Sequence, residues 1–245
     1  MKRIIGQLPY RSSNVHKSRL AAAFMCAGLR WPLIGSLVAA TAGCSTLGNS
    51  PSGQALSTLL PGQGKATAAQ AEAVPFASLA LDTSSLRGLA VLGALTGQQT
   101  HWPLAAGNFF TLDHGGLYAM SSPEGDLLAT RYTTPSAAEG TIMPWQQPSP
   151  ATFTLERHWV TPEGIAMVDY ADASMQCSAP TLEALVLAEL PLERCDVTYQ
   201  WQSGNTSHAQ WWRSPTSFRL WQVSEQAWPD GPDVAWQVAR PWWNE

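Results

Sequence analysis

A period of two runs through the second half of this chain. Val197, Tyr199 and Trp201 alternate with Asp196, Thr198, Gln200 and Gln202. Phe153 and Leu155 alternate with Thr152, Thr154, Glu156 and His158, and Val234, Trp236 and Val238 with Ala235, Gln237 and Ala239. Alternation of this kind sets one face of a strand on a core and the other toward water. Turn residues fall between such runs: Asp113-His114-Gly115-Gly116, Pro123-Glu124-Gly125, Thr161-Pro162-Glu163-Gly164 and Ser203-Gly204-Asn205. About ten short strands joined by close turns predict an all-β fold, an antiparallel meander forming a barrel or barrel-like sandwich. The apolar run Leu86–Leu95 reads as one buried strand, and the proline-rich residues 133–151 as a loop dividing the chain. Thr181–Leu190 fits a helix or a strand.

The N-terminus reads as an address. Residues 1–43 carry six basic residues and no acidic one, and they end in a short apolar stretch, Leu33–Ala42. A bilayer-spanning helix needs about 20 apolar residues, so this is the layout of a secretory signal. Its end, Thr41-Ala42-Gly43-Cys44, is similar to a bacterial lipoprotein box, with Thr41 where leucine is usual. Cys44 is then the lipidation site. Acyl chains there would hold the protein to a membrane without spanning it. Ser45, in place of the aspartate that favours inner-membrane retention, points to the outer membrane and a domain facing the periplasm. The alternative is ordinary signal cleavage with a free thiol. Met25 is a second candidate start, because residues 25–44 alone would make a complete lipoprotein signal. The expected organisation is a signal peptide over 1–43, a lipidated cysteine and flexible tether over 44–73, and a single β domain over 74–245.

Taking the 6 leader residues from the 14 basic ones leaves 8 against 18 acidic, a net charge of −10. A domain this acidic is poorly suited to nucleic acid. Cys177 and Cys195 remain after Cys26 and Cys44 are set aside, and in an oxidising compartment they are expected to form a disulfide. Two free thiols, or a metal site, are the alternatives, though no Cys-x-x-Cys or histidine pair supports a metal. No cofactor and no catalytic residue is expected. Asp169 and Asp172 could be cast as a glycosidase pair, and His114 as a catalytic turn residue; a solvated strand end and an exposed turn are the plainer readings. Twelve of the 23 aromatic residues are tryptophan, and eight of these lie between 201 and 243. Tryptophan offers a broad apolar face and one N–H donor, which suits both core packing and the C–H faces of sugar rings. One of each adjacent pair, Trp211-Trp212 and Trp242-Trp243, should point outward. Trp212, Trp228, Trp242 and Gln226 are the candidate contacts for a glycan or protein partner. Ser224 and Gln226 share one strand face, opposite Trp221 and Val223, and if buried would need partners that tie the last strands together.

The C-terminal third carries a resemblance. Trp211-Trp212-Arg213-Ser214-Pro215, then Leu220-Trp221-Gln222-Val223-Ser224-Glu225-Gln226-Ala227-Trp228-Pro229, then Val238-Ala239-Arg240-Pro241-Trp242 resembles the close of the YjbF/GfcB family of group 4 capsule and exopolysaccharide lipoproteins. Val74-Pro75-Phe76-Ala77-Ser78-Leu79 resembles that family's start. Gly115-Gly116-Leu117 stands where family members carry a Gly-Arg-Leu/Val segment. The resemblance implies an antiparallel β fold of barrel type. It also implies a non-catalytic accessory role in export or assembly of surface polysaccharide, with polysaccharide and periplasmic or outer-membrane export proteins as partners. The rival expectation is a periplasmic glycan-modifying hydrolase using a carboxylate pair in a Trp-lined cleft.

Overall fold

The computed structural model describes residues 64–135 and 142–243; the signal segment and Cys44 lie outside them. Fourteen strands follow one another: β1 (Ser78–Thr83), β2 (Arg87–Val91), β3 (Ala94–Thr96), β4 (Gln99–Pro103), β5 (Phe109–Asp113), β6 (Gly116–Ser122), β7 (Gly125–Thr133), β8 (Ala151–Val160), β9 (Ala166–Cys177), β10 (Thr181–Ala184), β11 (Glu189–Trp201), β12 (Thr206–Arg213), β13 (Leu220–Gln226) and β14 (Asp233–Arg240). They form one antiparallel sheet in the order β2-β1-β14-β13-β12-β11-β9-β8-β7-β6-β5-β4-β3, with β10 paired to the first part of β11. The segment 181–190 is therefore a hairpin and not a helix.

The hydrogen-bonded path is open, with β2 and β3 at its two ends. Those ends are consecutive in the chain, joined by Leu92-Gly93. Leu92 N–H donates to the Ala77 carbonyl and extends the β1–β2 ladder; Gly93 N–H donates to the His101 carbonyl and extends β3–β4. The run Leu86–Leu95 is thus two strands and not one, bent where a Cβ on Gly93 would lie 2.7 Å from Pro103 Cδ. β2 is largely buried and β3 exposed.

Inward-facing side chains of distant strands meet across the interior, which makes the sheet a barrel-like sandwich. Phe110 of β5 meets Trp236 of β14 with ring centroids 5.4 Å apart, and Phe153 of β8 stacks on Trp211 of β12 at 5.9 Å. Burying side chains of this size contributes about 1.5–3 kcal/mol each. Between β7 and β8, a 3₁₀ turn at Pro144–Gln146 drops Trp145 into the core, edge-on to Tyr132 and Trp211. Gly116 makes room for it, because a Cβ there would lie 2.2 Å from Trp145 Cη2.

The stretch Ala66–Ala73, which allows a short helix within the expected tether, forms one. Helix α1 (Ala68–Ala73) starts at a capping box, in which Gln70 N–H donates to Thr67 Oγ1 and Thr67 N–H to Gln70 Oε1. Its Ala71 is fully buried against Val74, Leu89 and Ala239. Cys177 and Cys195 face each other across β9 and β11 and are joined as a disulfide.

A buried ion pair ties β8 to β13. Arg157 Nη2 lies 2.7 Å from Glu225 Oε2, with both side chains essentially inaccessible. Arg157 Nη1 also donates to the Gln226 backbone carbonyl. Tyr199 Oη donates to the same Glu225 oxygen at 3.4 Å. Burial opposes the charge on Arg157, but the Glu225 carboxylate together with Tyr132 and Tyr199 outweighs it and raises the guanidinium pKa. Burial, with Glu225 alongside, pushes the Tyr132 and Tyr199 hydroxyls well above the usual tyrosine range. The polar tie expected from the Gln226 side chain is therefore made by Glu225. Ser224 is exposed and Gln226 half-buried, because Val223 and Glu225 take the inward positions of β13.

Candidate functional site

Five turns and chain ends converge at one end of the sheet. They are the β3–β4 turn (Gly97, Gln98), the β5–β6 turn (His114, Gly115), the 3₁₀ turn (Gln146), the β12–β13 connection (Ser217–Leu220) and the residues after β14 (Trp242, Trp243). Together they line a cleft of about 520 Å³, within the ~300–1,000 Å³ typical of ligand sites. Each wall has a local cause. His114 and Gly115 both hold positive φ, 51° and 90°, as a two-residue hairpin turn with the right twist requires. Pro241 cannot donate to a ladder, so β14 stops and Trp242-Trp243 turn across the open end.

The two tryptophans are held edge-on by others behind them. Trp242 meets Trp102 at 5.4 Å, Trp243 meets Trp221 at 5.3 Å, and the pair meet each other at 4.4 Å. Both stay half-buried, and the cleft lies against them. Arg219 lies over the Trp243 ring, 5.1 Å from its centroid. Arg213, buried beneath, positions two walls at once. Its Nη1 donates to the carbonyls of Trp145 and Gln147, each at 2.7 Å, its Nε donates to Glu193 at 2.8 Å, and its guanidinium covers the Phe218 ring at 4.6 Å. Among the described residues no aspartate or glutamate lines the cleft.

Of the residues singled out from sequence, Trp242 and His114 come together here. His114 is not in an exposed turn: it is half-buried, with Nδ1 3.1 Å from Asp113 Oδ1. Trp228 does not offer a free face, being 6% exposed and stacked on Trp159. Trp212 is half-buried on β12 beside the fully buried Trp211, as the alternation of adjacent residues requires. Gln226 lies at the far end of β13 from the cleft. Asp169 and Asp172 do not converge: Asp169 points inward and accepts from Tyr170 N–H, whereas Asp172 is exposed on the other face. Arg219 and Arg213 were missed. A cleft assembled from five separated segments leaves no local pattern, and only the adjacent tryptophans at the C-terminus signalled it.

A second pocket, about 240 Å³, opens where β6 and β7 part, and it brings Asp113 and Glu156 near Tyr118, Tyr132 and His158. His158 Nε2 lies 2.5 Å from Glu156 Oε1, and Arg131 3.6 Å from Glu156 Oε2. The hydrogen bond from His158 holds the Glu156 carboxyl below the usual glutamate range. Cys177, Cys195 and Glu193 form a cluster of metal-ligand type, but both sulfurs are consumed in the disulfide and Glu193 is engaged by Arg213.

No family model matches the chain, and no curated protein matches it. Among solved structures there is a neighbour. The fold is similar to that of the hypothetical lipoprotein YmcC from Escherichia coli K12. The TM-score is 0.59 at 14% identity, over 71% of this chain and 89% of YmcC. At that identity the likeness to YmcC is one of fold. No helix among the described residues is long and apolar enough to cross a membrane.

Proposed function

We propose that this chain is a lipoprotein attached through Cys44 to the outer membrane and facing the periplasm. In this reading it acts as a non-catalytic accessory in export or assembly of surface exopolysaccharide or capsule. The lipoprotein box, the resemblance of the C-terminal third to the YjbF/GfcB family and the fold shared with a hypothetical lipoprotein all support it. The observation that carries it is the cleft. Two supported tryptophans stand beside amide side chains and an arginine, a surface suited to hold sugar rings by stacking and hydrogen bonds, with no acid among its described residues to cleave them. The hydrolase reading has one observation in its favour, the Asp113 and Glu156 carboxylates at the smaller pocket. It needs a carboxyl that keeps its proton near neutral pH, and Glu156, held ionised by His158, is a poor donor.

The test is complementation of a strain deleted for the gene. Cys44→Ala is expected to move the protein from the outer-membrane fraction to the soluble periplasm. Trp242→Ala with Trp243→Ala is expected to leave the protein in the membrane and lower surface polysaccharide. Full polysaccharide from the double variant at wild-type abundance would overturn the cleft as the working surface. Cys44→Ala remaining in the outer membrane would overturn the anchor.

A further inference from the structure

The described part of the chain has eight basic residues, and six of them have a carboxylate partner. Lys65 and Arg87 pair with Asp82, Arg131 with Glu156, Arg157 with Glu225, Arg194 with Asp196 and Arg213 with Glu193. Arg240 donates through Nε to the Val74 carbonyl. In a domain so rich in acid, an arginine finds a carboxylate almost by default. Arg219 is the exception among the described residues: its guanidinium has neither a carboxylate nor a hydrogen-bond acceptor, is exposed, and sits over the Trp243 ring, 5.1 Å from its centroid, at the cleft wall. Among the described residues no acid lines the cleft to answer its charge.

We infer that the cleft binds an acidic saccharide, with the Arg219 fork receiving the carboxylate of a uronic acid unit while Trp242 and Trp243 carry the rings of its neighbours. This rests on the proposed glycan-handling role of the same cleft and narrows the substrate class. A planar guanidinium presents two parallel donors at the spacing of a carboxylate's oxygens, a match that a point-charge ammonium does not provide. Stacking on indole restricts the side chain beforehand, so less freedom is lost when the anion arrives. Gln98 and Gln146 on the opposite walls can donate to and accept from ring hydroxyls. The net negative charge of the domain disfavours an anionic polymer over much of its surface, so Arg219 also selects where along the domain the chain can lie.

The experiment is titration of the full-length protein in detergent, followed by tryptophan fluorescence and calorimetry. The ligands are short oligouronates of galacturonate, glucuronate and mannuronate type, each beside its methyl ester, and glucose 6-phosphate. At least one oligouronate is expected to bind about tenfold more tightly than its own ester, a single good charge-assisted contact. Arg219→Gln should abolish that preference, bringing acid and ester to equal affinity, and Arg219→Lys should recover only part of it. Ester binding equal to that of the free acid would overturn the role of Arg219 and leave the glycan-binding cleft standing. Binding by no saccharide would overturn both. Glucose 6-phosphate competing as well as the oligouronate would overturn carboxylate recognition in favour of phosphate. An unchanged melting temperature for both variants shows that the differences belong to the site.

Discussion

Arg157 and Arg219 each sit beside an aromatic ring, and they have opposite fates. Arg157 is sealed between β8 and β13, with Tyr199 5.9 Å from its guanidinium carbon and Glu225 neutralising it. Arg219 lies over Trp243, exposed, with no carboxylate partner among the described residues. The chemistry is identical; what differs is whether the fold supplies the carboxylate. Where it does, the arginine clamps two strands. Where it does not, the arginine is left to meet something from outside. Arg213 lies between these extremes, buried like Arg157 but spending its donors on the loops that shape the cleft around Arg219.

The sharpest way to break that contrast is to remove the inner carboxylate. Glu225→Ala leaves Arg157 charged and unpaired in the core and is expected to cost about 3–5 kcal/mol, read as a large fall in melting temperature. The double change Arg157→Met with Glu225→Leu should recover most of it, since apolar residues of similar size replace such pairs with little loss. Failure of the double change to recover would show that the pair also sets the packing of Tyr132 and Tyr199. Next in size is the disulfide. Cys177→Ser with Cys195→Ser opens a loop of sequence separation 18 and should cost about 3 kcal/mol by chain entropy, measured by urea unfolding without reductant. Gly116→Ala comes third: a methyl group in the space of the Trp145 ring should cost about 1–3 kcal/mol and loosen the wall that carries Gln146. Arg219→Gln is the smallest, within about 0.5 kcal/mol of wild type, as for an exposed residue away from structural contacts. A destabilisation as large as that of Glu225→Ala would erase the distinction between the clamp and the open site.

The strands were legible because their inward and outward positions differ in polarity. Phe153, Leu155 and Trp159 share a parity in β8, and the structure buries all three. Arg157 shares that parity, and so does Glu225 with Val223 in β13. A charged residue at an inward position was the available signal for the ion pair, but its partner lies 68 residues away and no local pattern could name it. The bend at Gly93 was hidden because both halves of Leu86–Leu95 are apolar for different reasons, one buried and one exposed at the sheet's end. For the site, the adjacent tryptophans at 242 and 243 were visible from composition and from their spacing of one. Trp228 was misread because it stands past the end of β13, where alternation no longer says which way a side chain points, and it stacks on Trp159. Arg219 carried no signal at all, since its isolation is a property of five loops meeting in space.

The ladder between β1 and β14 sets a timetable. Ser78 lies opposite Arg240 and Thr83 opposite Val234, so the first strand of the domain has its main partner in the last. Contacts this distant in sequence form slowly, because loop closure precedes any gain from them. Until Asp233–Arg240 is in place, Leu79 and Leu81 have only β2 beside them, and one edge of β1 stays open to any passing strand. A chain interrupted between Cys177 and Trp236 would still contain its middle hairpins, β4 to β9, but would present that edge permanently. Completion of the fold thus reports that the whole polypeptide has arrived, and the Trp242-Trp243 wall of the cleft, lying just beyond the last strand, is among the final pieces to be set.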